Sequence, residues 1–132
     1  MTIAATGEQS DGATSARFAP DAYWAPMAKW FRRYATRKIA KSFFAVRLDR
    51  ESSDLAGFDG RPVVMAVTHT SWWDPLLSLA LHEAWFPGRR PAGPMDIDQL
   101  ERFGFFRKLG IFGVDPHDPA SMAAMGRHVG AL

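Results

Sequence analysis

His69 and Asp74 are two side chains whose types and spacing could carry out acid–base chemistry. They lie five positions apart in the stretch Thr-His-Thr-Ser-Trp-Trp-Asp-Pro, which begins at Thr68. A carboxylate that accepts a hydrogen bond from one imidazole nitrogen fixes the histidine tautomer and stabilises the imidazolium that forms later. The other nitrogen can then take a proton from a hydroxyl group. The pair therefore predicts a general base.

The same stretch is also typical of an ordinary helix start. Ser71 and Asp74 have the spacing of a capping box, and Asp74 followed by Pro75 resembles an N-cap with proline in the first turn. From the residues alone, the helix-capping interpretation and the acid–base interpretation both stand.

The elements beside the pair are predicted from apolar runs. The continuous apolar run Val63–Val67 predicts a buried strand in a parallel sheet, and Pro75–Trp85 predicts the helix that follows it. Because ligands of α/β proteins bind at the carboxyl ends of the strands, we expect His69 and Asp74 at that end of the sheet.

Downstream, the chain alternates short strands and helices. The predicted elements are a strand at Ala92–Met95, a helix at Asp98–Leu109 ended by Gly110, a strand at Ile111–Val114, and a helix from Ala120 to about Val129 capped by Asp118. This order predicts an α/β fold in which an N-terminal amphipathic helix precedes strand–helix repeats.

Two blocks of the sequence resemble those of the glycerolipid (lysophosphatidic acid) acyltransferase family. Residues 68–76, Thr-His-Thr-Ser-Trp-Trp-Asp-Pro-Leu after an apolar strand, resemble its His-x4-Asp signature. Residues 103–115, Phe-Gly-Phe-Phe-Arg-Lys-Leu-Gly-Ile-Phe-Gly-Val-Asp, resemble its second block in pattern and position. Together they define a motif-bearing α/β region over residues 60–118.

The resemblance implies an O-acyltransferase of the acylglycerol-phosphate acyltransferase type. Such an enzyme moves a fatty acyl group from a thioester donor, acyl-CoA or acyl carrier protein, to a hydroxyl of a lipid acceptor such as lysophosphatidic acid, in phospholipid biosynthesis. It implies that His69 is the catalytic base and Asp74 its orienting partner. No metal, no cofactor and no covalent acyl-enzyme are implied.

The sequence departs from the family pattern in two places. Asp115 is followed by Pro116, where the family usually has an arginine that binds phosphate. Either the acceptor lacks phosphate or another cation binds it, and the candidates are Arg89, Arg90, Arg107 and Lys108. The family's later Glu-Gly block is also missing, so we expect a partial, truncated domain with little or no turnover.

Residues 22–46 predict a basic amphipathic helix, because residues 22–48 contain seven of the 16 basic side chains and none of the 14 acidic ones. Its apolar stripe consists of Trp24, Ala28, Phe31, Ala35, Ile39 and Phe43. The stripe could pack on the core, or the helix could lie in an anionic membrane interface through Trp24, Trp30, Phe31 and Arg33. The membrane-interface interpretation gives the alternative function, which is non-catalytic peripheral membrane binding. We expect no nucleic-acid partner, because the aromatic residues lie with the apolar stripe and not with the basic face.

The composition indicates the domain organisation and the location of the protein. Residues 1–20 predict a flexible tail and residues 21–132 a partial acyltransferase-like domain. The chain has no cysteine, which fits a reducing compartment, and no apolar run of the roughly 18 residues that a bilayer span requires. We therefore expect a peripheral protein at the cytoplasmic face of a membrane. Nothing in the sequence indicates an oligomeric state.

Overall fold

The small sheet at the centre of the fold contains three strands in the order β1-β3-β2. The computed structural model describes residues 17–47 and 61–132. In it, β1 is Phe18–Ala19, β2 is Gly93–Asp96 and β3 is Ile111–Val114. β2 runs parallel to β3, whereas β1 runs antiparallel to it, with Phe18 opposite Val114. The mixture of helices and a small sheet is consistent with the predicted α/β class.

The described residues also form four α-helices. α1 is Ala25–Ser42, α2 is Asp74–Trp85, α3 is Ile97–Arg102 and α4 is Pro119–Gly130. α3 and α4 pack against the sheet, while α1 and α2 pack on each other. α1, α2 and α4 each have proline in the first turn, where the missing N–H costs nothing. The Asp118 side chain caps α4 by accepting a hydrogen bond from the amide of Ala120, as predicted.

The apolar stripe of α1 packs on the core, as one of the two interpretations expected. Ala35 and Ile39 are buried together with Leu76 of α2, and Phe31 and Trp73 pack against this cluster. The helix is shorter than the predicted range of 22–46, because extended backbone at Trp24 and Phe43 bounds it. None of the helices in the described ranges is long and apolar enough to cross a bilayer.

The predicted strand at Val63–Val67 is wrong. Residues 62–70 form no regular element, and Val64 and Val67 are 88 % and 62 % exposed. A strand requires a neighbour that completes its backbone hydrogen bonds. In the part of the chain that the structure describes, the sheet consists of β1, β2 and β3 alone.

Two further predictions need correction. The predicted helix at Asp98–Leu109 is instead α3 followed by a 3-10 helix, Gly104–Leu109, because the backbone turns out of the helical region at Phe103. Residues 17–20, predicted as the end of a tail, contain β1. The rest of that tail and residues 48–60 lie outside the described residues.

Gly110 ends the 3-10 helix in the left-handed conformation, with φ of 94°. A Cβ at this position would lie 2.2 Å from the carbonyl oxygen of Pro91. Only glycine allows this close approach of backbones, which places β3 beside β2.

Candidate functional site

Asp74 lies at the first position of α2, and its carboxylate folds back over the preceding turn. Its Oδ2 accepts hydrogen bonds from the amides of Thr70, at 2.8 Å, and Ser71, at 2.6 Å. The Ser71 hydroxyl accepts one from the amide of Trp73, at 3.2 Å. The capping interpretation is correct only in part. The Asp74 carboxylate accepts from the Ser71 amide as in a capping box, but the Ser71 hydroxyl accepts from the amide of Trp73, and Trp73, not Asp74, is the N-cap of α2.

The same carboxylate also faces His69. His69 Nδ1 lies 3.5 Å from Asp74 Oδ2, while the side chains are 64 % and 22 % exposed respectively. This distance exceeds that of a well-formed hydrogen bond, although catalytic contacts are often long in an unliganded protein. The imidazole is thus held near a carboxylate on one side and open to solvent elsewhere. The oxygen that faces His69 is the one that also accepts both amide hydrogen bonds of the turn.

Apolar side chains adjoin the turn that holds the pair. Trp73 packs edge-on against Phe43 at the end of α1, with ring centroids 5.1 Å apart, whereas Trp72 is 72 % exposed. Val67 before the turn and Phe44 after α1 are also exposed. An open apolar surface beside a polar pair is typical of a site that receives a partly hydrocarbon ligand.

The four basic residues predicted to bind substrate contact other parts of the chain. Arg89 donates a hydrogen bond to the carbonyl of Arg61, and Arg90 pairs with the carboxylate of Asp21. Arg107 Nε donates to the carbonyl of Pro20 at 3.0 Å, and the Lys108 ammonium lies 5.6 Å from the ring centroid of Trp24. Three of the four therefore hold the segment 20–24.

The side chains predicted for the membrane interface lie on different faces of α1. Trp30 is 59 % exposed, and with Arg33 it lines a groove of about 230 Å³. Phe31 instead faces the interior and contacts Phe105, with ring centroids 5.8 Å apart. Trp24 precedes the helix and is half exposed beneath Lys108.

A second histidine–carboxylate pair, which the sequence analysis missed, joins Asp21 and His128. His128 Nε2 lies 3.1 Å from Asp21 Oδ2, and the Asp21 side chain is only 2 % exposed. The two residues are 107 positions apart. No local pattern signals such a pair, because its partners meet only when the sheet forms.

Within residues 17–47 and 61–132, no group of three or more His, Asp or Glu side chains is arranged to hold a metal ion. Comparisons with protein-family models, with curated proteins and with solved structures found no match to this chain. The likeness to glycerolipid acyltransferases therefore depends on residues 68–76 and 103–115 alone.

Proposed function

We propose that this protein transfers an acyl group from a thioester donor to the hydroxyl of a lipid acceptor, with His69 as the general base. The single observation that carries the proposal is the position of His69 Nδ1, 3.5 Å from Asp74 Oδ2, with the imidazole 64 % exposed. An exposed histidine with a carboxylate close to one ring nitrogen is an arrangement from which hydroxyl activation can proceed, once the two groups move into hydrogen-bond distance.

The reaction needs only these two side chains and the two substrates. In the proposed reaction, Asp74 accepts a hydrogen bond from Nδ1–H once the substrates bind, so Nε2 carries the lone pair. Nε2 takes the hydroxyl proton while the hydroxyl oxygen forms a bond to the thioester carbonyl carbon. The carbon–sulfur bond then breaks, and the imidazolium returns its proton to the departing thiolate. The products are an ester and a free thiol, and the histidine is restored.

The turn geometry supports the assignment of Asp74. Its two backbone hydrogen bonds hold the carboxylate before any substrate binds, so little reorganisation is needed when the imidazolium forms. The exposed Trp72 and Val67 beside the pair support an acceptor or acyl chain with hydrocarbon character. Arg90, Arg107 and Lys108 contact segment 20–24, so they are not assigned to a phosphate of the acceptor. The proposal therefore covers lipid hydroxyls with or without a phosphate.

Acyl transfer tests the proposal directly. The assay measures thiol release from acyl-CoA, and separately from acyl carrier protein, in the presence of lipid alcohols with and without phosphate. His69→Ala should lower turnover by about 10²-fold or more, the usual contribution of a general base. His117→Ala is the matched control, since His117 is an exposed histidine in a turn before α4. Equal turnover by His69→Ala and its parent protein would remove His69 from the mechanism. Thiol release from neither donor, by a version of the protein that also carries the family's Glu-Gly block, would reject acyl transfer.

A further inference from the structure

The outward face of α1 carries exposed aromatic rings next to basic side chains. Trp30 and Tyr34 are 59 % and 41 % exposed, and their rings stack at 6.1 Å with an interplanar angle of 12°. Arg33 and Arg37 join these two rings in lining a groove of about 230 Å³. Trp30, Arg33, Tyr34 and Arg37 are called the aromatic–basic face below.

This face is separate from the part of α1 that builds the core. Ala35 and Ile39 are buried against α2, and Phe31 contacts Phe105. Residues three or four positions apart share one side of a helix, so Trp30, Tyr34 and Arg37 form one row. Packing of the apolar stripe on α2 therefore leaves this row exposed.

The charge of this face is unbalanced. α1 contains no acidic residue. Glu83 of α2 pairs with Arg32, with the atoms 2.6 Å apart, and Arg32 is not part of the face. Across residues 17–47 and 61–132, Arg33 and Arg37 form no ion pair with an acidic side chain. The Lys38 ammonium, 5.9 Å from the Tyr34 ring centroid, adds another positive charge beside the row.

We propose that the aromatic–basic face docks on the surface of an anionic phospholipid bilayer. Tryptophan and tyrosine favour the headgroup level of a bilayer, where the ring is in an apolar layer and its polar atom meets water. Arginines beside them are attracted to anionic headgroups. A single-stranded nucleic acid is instead bound by aromatic faces that are open to stack on successive bases. Here Trp30 and Tyr34 stack on each other.

Vesicle binding tests the contribution of the basic side chains to the proposed docking. The unmodified chain should co-sediment with phosphatidylserine-containing vesicles at low salt and dissociate as salt rises. Arg33→Glu/Arg37→Glu should weaken binding by roughly thirty-fold or more, given about fivefold for each lost basic side chain. The control variant Arg102→Glu/Arg127→Glu makes the same change in net charge at exposed sites outside the aromatic–basic face. It should weaken vesicle binding far less.

Trp30→Ala/Tyr34→Ala tests the aromatic part, and it should weaken binding to the same vesicles while circular dichroism shows an unchanged helix content. The proposal is overturned if the chain does not bind these vesicles at low salt, or if the two charge-reversed variants lose binding equally. It is also overturned if single-stranded nucleic acid, and not vesicles, shows the dependence on Arg33 and Arg37. Since vesicle binding requires no thioester donor, its outcome is independent of acyl transfer.

Discussion

Asp21 Oδ2 lies 3.1 Å from His128 Nε2, which joins the segment before α1 to the last turn of α4. The other oxygen, Oδ1, pairs with Arg90 and accepts a hydrogen bond from the amide of Tyr23 at 3.0 Å. The His128 ring itself lies beside Phe18 and Phe112, at centroid distances of 5.4 and 5.0 Å. One buried carboxylate thus ties β1, the loop before β2 and α4 together.

Asp21→Asn should destabilise the fold markedly. It leaves Arg90 and His128 without an anionic partner, and hydrogen bonds to charged groups contribute about 2 kcal/mol each. Urea unfolding followed by circular dichroism measures the loss. Asp98→Asn is the control, since Asp98 pairs with Arg17 while its side chain is 68 % exposed, and it should cost less than about 1 kcal/mol. Equal losses in the two variants would mean that Asp21 is no more important than a surface ion pair.

Asp74 should have separable structural and chemical tasks. Asp74→Asn keeps an oxygen that can accept from the Thr70 and Ser71 amides, so helix content should persist while acyl transfer falls. Asp74→Ala should lower both, with a loss of about 1 kcal/mol in the free energy of unfolding. Nitrogen NMR of the His69 imidazole provides a readout without turnover. It should show the Nδ1–H tautomer in the unmodified chain and a mixture of the two tautomers in Asp74→Asn. A mixture of tautomers in both proteins would argue against an orienting role of Asp74.

Gly110→Ala should be one of the most damaging small changes. Its left-handed φ of 94° costs a non-glycine residue about 1–2 kcal/mol, and its Cβ would lie 2.2 Å from Pro91 O, so backbone must move. We expect a total of at least about 3 kcal/mol. Gly88 also has a positive φ, of 73°, but no atom lies within 4 Å of its added Cβ. Gly88→Ala should therefore lose only the conformational part of the free energy of unfolding. Thermal unfolding of the two variants measures the difference between their losses.

His82 should make stability fall at acidic pH. Burial lowers the pKa of His82 below its ordinary value of 6.5, against a weaker opposite effect of Glu83. The unfolded chain therefore takes up the proton first, so the free energy of unfolding decreases as pH falls below 6.5 and levels off below the lowered pKa. Urea unfolding at several pH values should show a smaller decrease in His82→Gln. His117→Gln should retain it, and a decrease of the same size in His82→Gln would assign the pH dependence to other groups.

Local signals in the sequence predicted local structure well. Proline in the first turn of α1 and α2, Gly110 after a helical segment, and Asp118 before α4 each act within a few residues. Their effects depend on backbone geometry alone, so no knowledge of the tertiary fold is required. The turn between His69 and Asp74 belongs to the same class, since its hydrogen bonds span at most four positions.

Features that depend on distant partners could not be predicted in this way. Val63–Val67 has the composition of a strand, yet composition does not reveal whether a neighbouring strand is present. Phe18–Ala19 forms a strand because β3 lies beside it. The Asp21–His128 pair likewise depends on the sheet that brings its two residues together.

The residues on either side of β1 are joined to parts of the chain more than a hundred positions away. The Ser121 hydroxyl donates to the carbonyl of Arg17 across 104 positions, and His128 meets Asp21 across 107. Contacts of such sequence separation require a large loop to close first, and they slow folding. During synthesis, the segment around Phe18 must wait until β3 has left the ribosome before it can join the sheet, and until α4 has followed before its contacts with Ser121 and His128 can form. The earliest described residues of the chain are therefore among the last to reach their final positions.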